Sequence, residues 1–272
     1  DNDNKQDKLT HAKIASSQST TGIADIDLAL GYKFLDKEKY HMSINLGLTI
    51  PTGDEPDAIY AFEPIVGNGG HWAFGGGLDF GAKLWEDGDQ NVKLCAALNY
   101  RYLFESTEKR TLGLKNVDFG QYVLVGKIGE QKAVPAANIL TRNVDVEPGS
   151  QVDAILGLAY NNGGFTIDLG YNLFWKEHEN VSTKDKIEDA GYYLLKPIKQ
   201  LNAAIAGDYT DFDQGTNIAK GNATAAIGVA NAYQISNSNA STEAAETPSY
   251  VTHKIYGGVG YIFKEWEYPL ML

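Results

Sequence analysis

The chain has 272 residues, a formal net charge of −12 at pH 7, 29 glycines, 16 tyrosines, two methionines and one cysteine. An acidic balance without clusters of Lys and Arg excludes a partner held by its phosphate backbone, so no nucleic acid is expected. Cys95 has no second cysteine to pair with and no apolar run reaches about eighteen residues, which removes a disulfide scaffold, a cysteine zinc site and a helical membrane span.

Residues 1–21, DNDNKQDKLTHAKIASSQSTT, are polar and aperiodic and read as loop or tail. From residue 22 the pattern changes. GIADIDLALGYKFL (22–35) puts Ile26, Leu28, Leu30, Tyr32 and Phe34 on one parity and Asp25, Asp27, Ala29, Gly31 and Lys33 on the other, the period of two that marks a strand with unlike faces. YHMSINLGLTI (40–50) repeats it, with Tyr40, Met42, Ile44, Leu46, Leu48 and Ile50 set against His41, Ser43, Asn45, Gly47 and Thr49. The polar DKEK between them predicts an antiparallel hairpin.

HWAFGGGLDFGAKL (71–84) and VKLCAALNYRYLF (92–104) make a second hairpin across the turn EDGDQN. Trp72, Phe74, Leu78 and Phe80, then Leu98, Tyr100, Tyr102 and Phe104, face away from Asp79, Lys83, Lys93, Asn99 and Arg101. A third hairpin is QVDAILGLAYNNGGFTIDLGYNLFWK (151–176). There Asn162-Gly163 is expected to form a two-residue type I′ turn. That turn would set Tyr160 opposite Phe165, Leu158 opposite Ile167 and Leu156 opposite Leu169, with Asp153 facing Asn172 on the polar side. A weaker fourth hairpin, HKIYGGVGYIFKEWEYPLML (253–272), aligns Ile255, Val259, Tyr261 and Phe263.

Alternation is common to soluble sandwiches and membrane barrels; four features favour the barrel. Tyr40 to Ile50 covers about ten steps of roughly 3.3 Å, which at a tilt near 40° span about 25 Å, the height of a lipid-facing band. Tyr32, Phe34, Tyr40, Tyr160, Phe165, Phe263, Trp266 and Tyr268 crowd the short-turn ends, while Trp72, Phe74, Tyr100, Tyr102, Phe104 and Trp175 crowd the opposite ends, as two aromatic belts would. Short turns alternate with long connections at 51–70, 105–150 and 178–249, matching periplasmic turns and outer loops. Lastly, a face of Asp, Asn, Gly, Ala and Ser suits the concave inside of a closed barrel, where long side chains collide. The expected fold is therefore all-β, an antiparallel up-and-down transmembrane β-barrel over 22–272, with about eight strands visible. With short turns in the periplasm the first strand runs inward and the last, near Tyr268, runs outward, so a longer parent of at least ten strands is expected.

The strand region resembles Gram-negative outer-membrane β-barrels. LGLTIPTGDEPD (46–57), a strand running straight into Pro51-Thr52-Gly53-Asp54, is similar to the first outer loop of the long-chain fatty acid and aromatic-hydrocarbon uptake transporters. The resemblance implies a bacterial outer-membrane channel or transporter, surrounded by outer-membrane lipids, for passive uptake of small solutes, hydrophobic ones included. No cofactor and no chemical step are expected.

In an open lumen Asp25, Asp27, Lys33, His41, Asn45, Asp79, Lys83, Lys93, Asn99, Arg101, Gln151, Asp153, Asp168, Asn172 and Lys176 would set selectivity. In a narrow barrel the same set would be a satisfied packing network, and the chain would be a structural or adhesion barrel with a plugged interior. EPIVGNGGHW (63–72) precedes a strand, not a helix, so a tight loop re-entering the rim is expected and not a phosphate cradle. Asp208, Asp211 and Asp213 lack the spacing of a calcium loop. The five histidines, His11, His41, His71, His178 and His253, lack metal-ligand spacing. A lipid-acting enzyme would have to bring His41, His71 or His253 beside a Ser and an acid at one rim. A soluble ligand-binding barrel is a fourth reading. The connection at 178–249 ends in an Ala, Asn and Ser-rich run that suggests an exposed loop.

Overall fold

The computed structural model of the protein describes residues 6–127, 133–184, 187, 191–194 and 234–263. Its centre is a seven-stranded antiparallel sheet. The strands are β1 (Ile26–Asp36), β2 (Tyr40–Ile50), β3 (Ala73–Asp87), β4 (Gln90–Leu103), β5 (Gly149–Asn162), β6 (Phe165–Lys176) and β7 (Tyr250–Tyr261). Their order in the sheet is their order in the chain, a meander whose edges are β1 and β7. Strands of 11 to 15 residues are about twice the usual globular length.

Register confirms the division into two faces. Ile26, Leu28, Leu30 and Tyr32 lie opposite Ile50, Leu48, Leu46 and Ile44, and Asp27 lies opposite Thr49. The apolar face is uncovered. Leu30 is 78% exposed, Ile255 79% and Val259 71%, and among the described residues no layer of side chains packs over them. The polar face is concave: one cavity is lined both by Asp27 on β1 and by Phe174 on β6, five strands away, which requires the sheet to curl.

Two turns differ from the sequence expectation. The third hairpin pairs Asn162 with Phe165 and Tyr160 with Ile167, so the loop is Gly163-Gly164, with a positive φ of 57° at Gly163, the place where a type II′ turn requires glycine. A shift of two residues leaves every side chain on its expected face. Asp153 consequently pairs with Phe174. In the second hairpin both strands run through EDGDQN as far as Asp87 and Gln90, leaving Gly88-Asp89 as the loop. Bulges at Lys33/Leu35 and Lys83/Trp85 turn Trp85 outward opposite Val92, against its sequence parity.

The connections expected as outer loops carry a folded cap. Asn180–Thr183, Thr141–Glu147 and Ser106–Thr111 form one small sheet; Tyr192–Leu194, Leu124–Lys127 and Ala133–Pro135 form another. Leu112, Val125, Leu140, Val144, Val146 and Ile235 are fully buried between them, each worth roughly 1.5–3 kcal/mol of apolar burial. Of the Ala, Asn and Ser-rich run expected to be exposed, the part before residue 234 lies outside the described residues; the remainder is anchored by Ile235 and Ala240, the latter paired with Leu114. The N-terminal segment, expected as tail, is tied to the cap as well. The Thr10 hydroxyl donates to Asn138 at 2.8 Å, and the Tyr122 hydroxyl donates to the Ala12 carbonyl at 3.0 Å.

Candidate functional site: the concave face and its vestibule

The fifteen residues expected to line a lumen fall on the concave face or at its rim. Asp27 accepts the Thr49 hydroxyl at 2.5 Å, Asn45 donates to Asp79 at 3.3 Å, and Asn172 donates diagonally to Asp153 at 3.1 Å. Arg101 donates to Gln151 at 2.9 Å. Lys33 and Lys83 pair with Asp36 and Glu86 at 3.6 and 2.7 Å, and Lys176 pairs with Glu179 at 2.5 Å. The side chains of His41, Lys93, Asn99 and Asp168 form no hydrogen bond or ion pair among the described residues. Asp25 stands just before β1, where its carboxylate accepts the Gly53 amide at 3.2 Å and fastens the Pro51-Thr52-Gly53-Asp54 turn to the rim.

The aromatic side chains expected at two interfaces are on the convex face. Tyr32, Phe34, Tyr40, Tyr160 and Phe165 lie towards the short turns; Trp72, Phe74, Tyr100, Tyr102, Phe104 and Trp175 lie towards the cap. Tyr102 also donates to Glu147 of the cap. Trp266 and Tyr268 lie outside the described residues, as do Asp208, Asp211 and Asp213. The sequence reading missed Trp85, turned outward by its bulge, and Phe174, Tyr250, Lys254 and Tyr256 on the concave side. Phe174 and Tyr250 meet there with ring centroids 5.9 Å apart.

Above the concave face the cap closes over a vestibule of about 630 Å³. EPIVGNGGHW shapes one wall. Gly67, Gly69 and Gly70 all have positive φ, and Asn68 brackets the backbone of His71 with hydrogen bonds of 2.6 and 3.0 Å. That turn drives the His71 imidazole, 1% exposed, between the Phe104 carbonyl at 2.8 Å and Glu108 at 2.6 Å. A Cβ at Gly69 would stand 2.9 Å from the Glu108 carboxylate.

From Glu108 a chain of charges crosses the vestibule. Arg110 donates to Glu108 at 2.8 Å, to Glu179 at 2.7 Å and to the Ala245 carbonyl at 2.7 Å. Burial opposes the guanidinium charge, but the Glu108 and Glu179 carboxylates outweigh it and raise the Arg110 pKa. Burial likewise pushes the Glu179 carboxyl up, yet the Lys176 hydrogen bond and the Arg110 charge hold its pKa down at about 2. The chain thus joins the head of β3, the connections at 105–150 and 178–249, and the end of β6.

Below the vestibule a second cavity of about 300 Å³ runs along the concave face, and Arg101 and Gln151 line both spaces. Their arrangement can hold a small polar molecule; among the described residues no nucleophile beside a base is set in either wall. No protein-family model matches the chain, and no curated protein does.

Proposed function

We propose that the seven strands belong to a closed barrel spanning a bacterial outer membrane, and that the protein is a channel or transporter for passive movement of small solutes. The observation that carries this reading is the uncovered apolar face. It runs across all seven strands, far beyond the roughly 300–600 Å² of the largest apolar patch on a typical soluble monomer, and aromatic side chains border it at both ends. Lipid is the medium that such a face fits. The solute path is the concave face with its two cavities, and the cap forms the outer vestibule.

Membrane fractions from cells making the full chain test this reading. The protein is expected to stay in the membrane through alkaline carbonate and urea and to need detergent for release. Release without detergent would refute it. Reconstitution in planar bilayers tests the passage, for which a unitary conductance is expected.

The folded cap favours a second reading, a structural barrel whose mouth the cap stops. A membrane-embedded protein without conductance or solute flux would support that reading.

A further inference from the structure

Most charged groups around the vestibule are committed to a partner. Arg110 and Lys176 neutralise Glu108 and Glu179. Glu63 accepts the backbone amides of Asp57 and Ala58 at 3.1 and 2.9 Å, and burial, helped by Asp57, raises its pKa. Lys109 and Arg101 are left over in the vestibule lining. Neither has a carboxylate in ion-pair reach among the described residues.

Arg101 is the better placed of the two. It pairs across the strands with Gln151, and its Nη2 donates to Gln151 Oε1 at 2.9 Å. That bond leaves the other edge of the guanidinium and the Gln151 Nε2 amide without acceptors among the described residues. Both side chains border the vestibule and the lower cavity, so an uncommitted cation with an adjacent amide donor stands at the junction. Asp27 and Asp153 also line the lower cavity, but among the described residues neither comes within ion-pair distance of the Arg101 guanidinium.

We infer that Arg101 and Gln151 form a binding site for a small monocarboxylate at the junction between the vestibule and the concave face. The inference rests on the channel reading, since it names the class of solute that meets this point first. A guanidinium edge and one amide match two oxygens sharing a single charge, whereas a dianionic phosphate would keep one charge unmatched. Leu103, Ile65 and Tyr122 supply apolar surface for the body of the solute, and the vestibule has the size of an ordinary small-molecule pocket. The competing account is a cross-strand hydrogen bond with no ligand.

Calorimetric titration of the full chain in detergent micelles, using benzoate and its uncharged isostere benzamide, decides between them. Benzoate is expected to saturate a site and benzamide to bind at least about tenfold more weakly, the scale of a charge-assisted hydrogen bond. Arg101→Gln should weaken benzoate by about tenfold or more. Gln151→Glu should do the same without loss of side-chain volume, because it gives Arg101 a carboxylate of its own; it serves where Arg101→Gln does not fold. Equal binding of benzoate and benzamide, unchanged affinity in a folded variant, or no saturable benzoate binding would each overturn the proposal. The titration needs no bilayer, so the two readings fail separately. A protein released without detergent that still prefers benzoate keeps the site and loses the channel; one that conducts without preferring benzoate does the reverse.

Discussion

Glycine on the concave face is a seat for a neighbour's side chain. A Cβ at Gly170 would stand 2.1 Å from the Tyr256 ring, and one at Gly81 would stand 2.2 Å from the His41 ring. Large groups lie flat across the sheet only because these positions are empty. Gly170→Val is therefore expected to cost about 1–3 kcal/mol by overpacking, read as a lower urea midpoint in micelles. Gly88 differs: nothing lies within 4 Å, but its φ is +56°, so Gly88→Ala should cost about 1 kcal/mol through backbone strain alone. Arg110 is the residue with most at stake. Arg110→Met leaves Glu108 and Glu179 buried without their shared cation, an expected loss of about 3–5 kcal/mol in cap stability, measurable by thermal unfolding of the cap. The residue-level facing of Asp27, Asn45, Asp79 or Arg101 was legible from parity alone, since a strand's side chains alternate whatever it pairs with. The seats were not legible. Which residue lies over Gly170 depends on register, and Trp85 changes face because of a bulge that leaves no mark in the alternation.

The strand is the scale at which the two faces separate. Asn45 and Leu46 are adjacent in the middle of β2 and point to opposite sides. Leu46→Arg puts a charge at the centre of the apolar band and is expected to cost about 2–4 kcal/mol of folding into lipid vesicles. Asn45→Arg, on the solvated side, should cost much less. Equal penalties for the two would mean that the convex face does not meet lipid. The hairpins were legible in the sequence because turn residues punctuate the alternation, yet the Gly163-Gly164 loop fell two residues from the expected register. Three positions there, Asn162, Gly163 and Gly164, accept turn conformations, and the pairing across the whole length of β5 and β6 decides among them.

For the whole molecule, the cap is where sequence reading stopped short. Its strands are two to seven residues long, too short for periodicity to register, and its core couples residues far apart in the chain. Its response to acid follows from Glu179. The folded carboxyl titrates at about 2, below its ordinary 4.5. Its ionised form thus favours the folded cap at every pH above about 4.5, and that contribution drains away as pH falls towards 2. Hydrogen exchange should show the amides of 106–111 and 180–183 losing protection across this window while those of β5 keep theirs; flat protection across it would contradict the role assigned to Glu179.

The cap core also constrains the order of assembly. Leu112, Leu140 and Val144 come before the β5–β6 hairpin in the chain, and Ile235 and Ala240 come after it. The core is complete only when the second half has been delivered to the same rim as the first. The first half therefore keeps part of its apolar surface open until the second half has been made, and closure of the rim waits on contacts far apart in the chain.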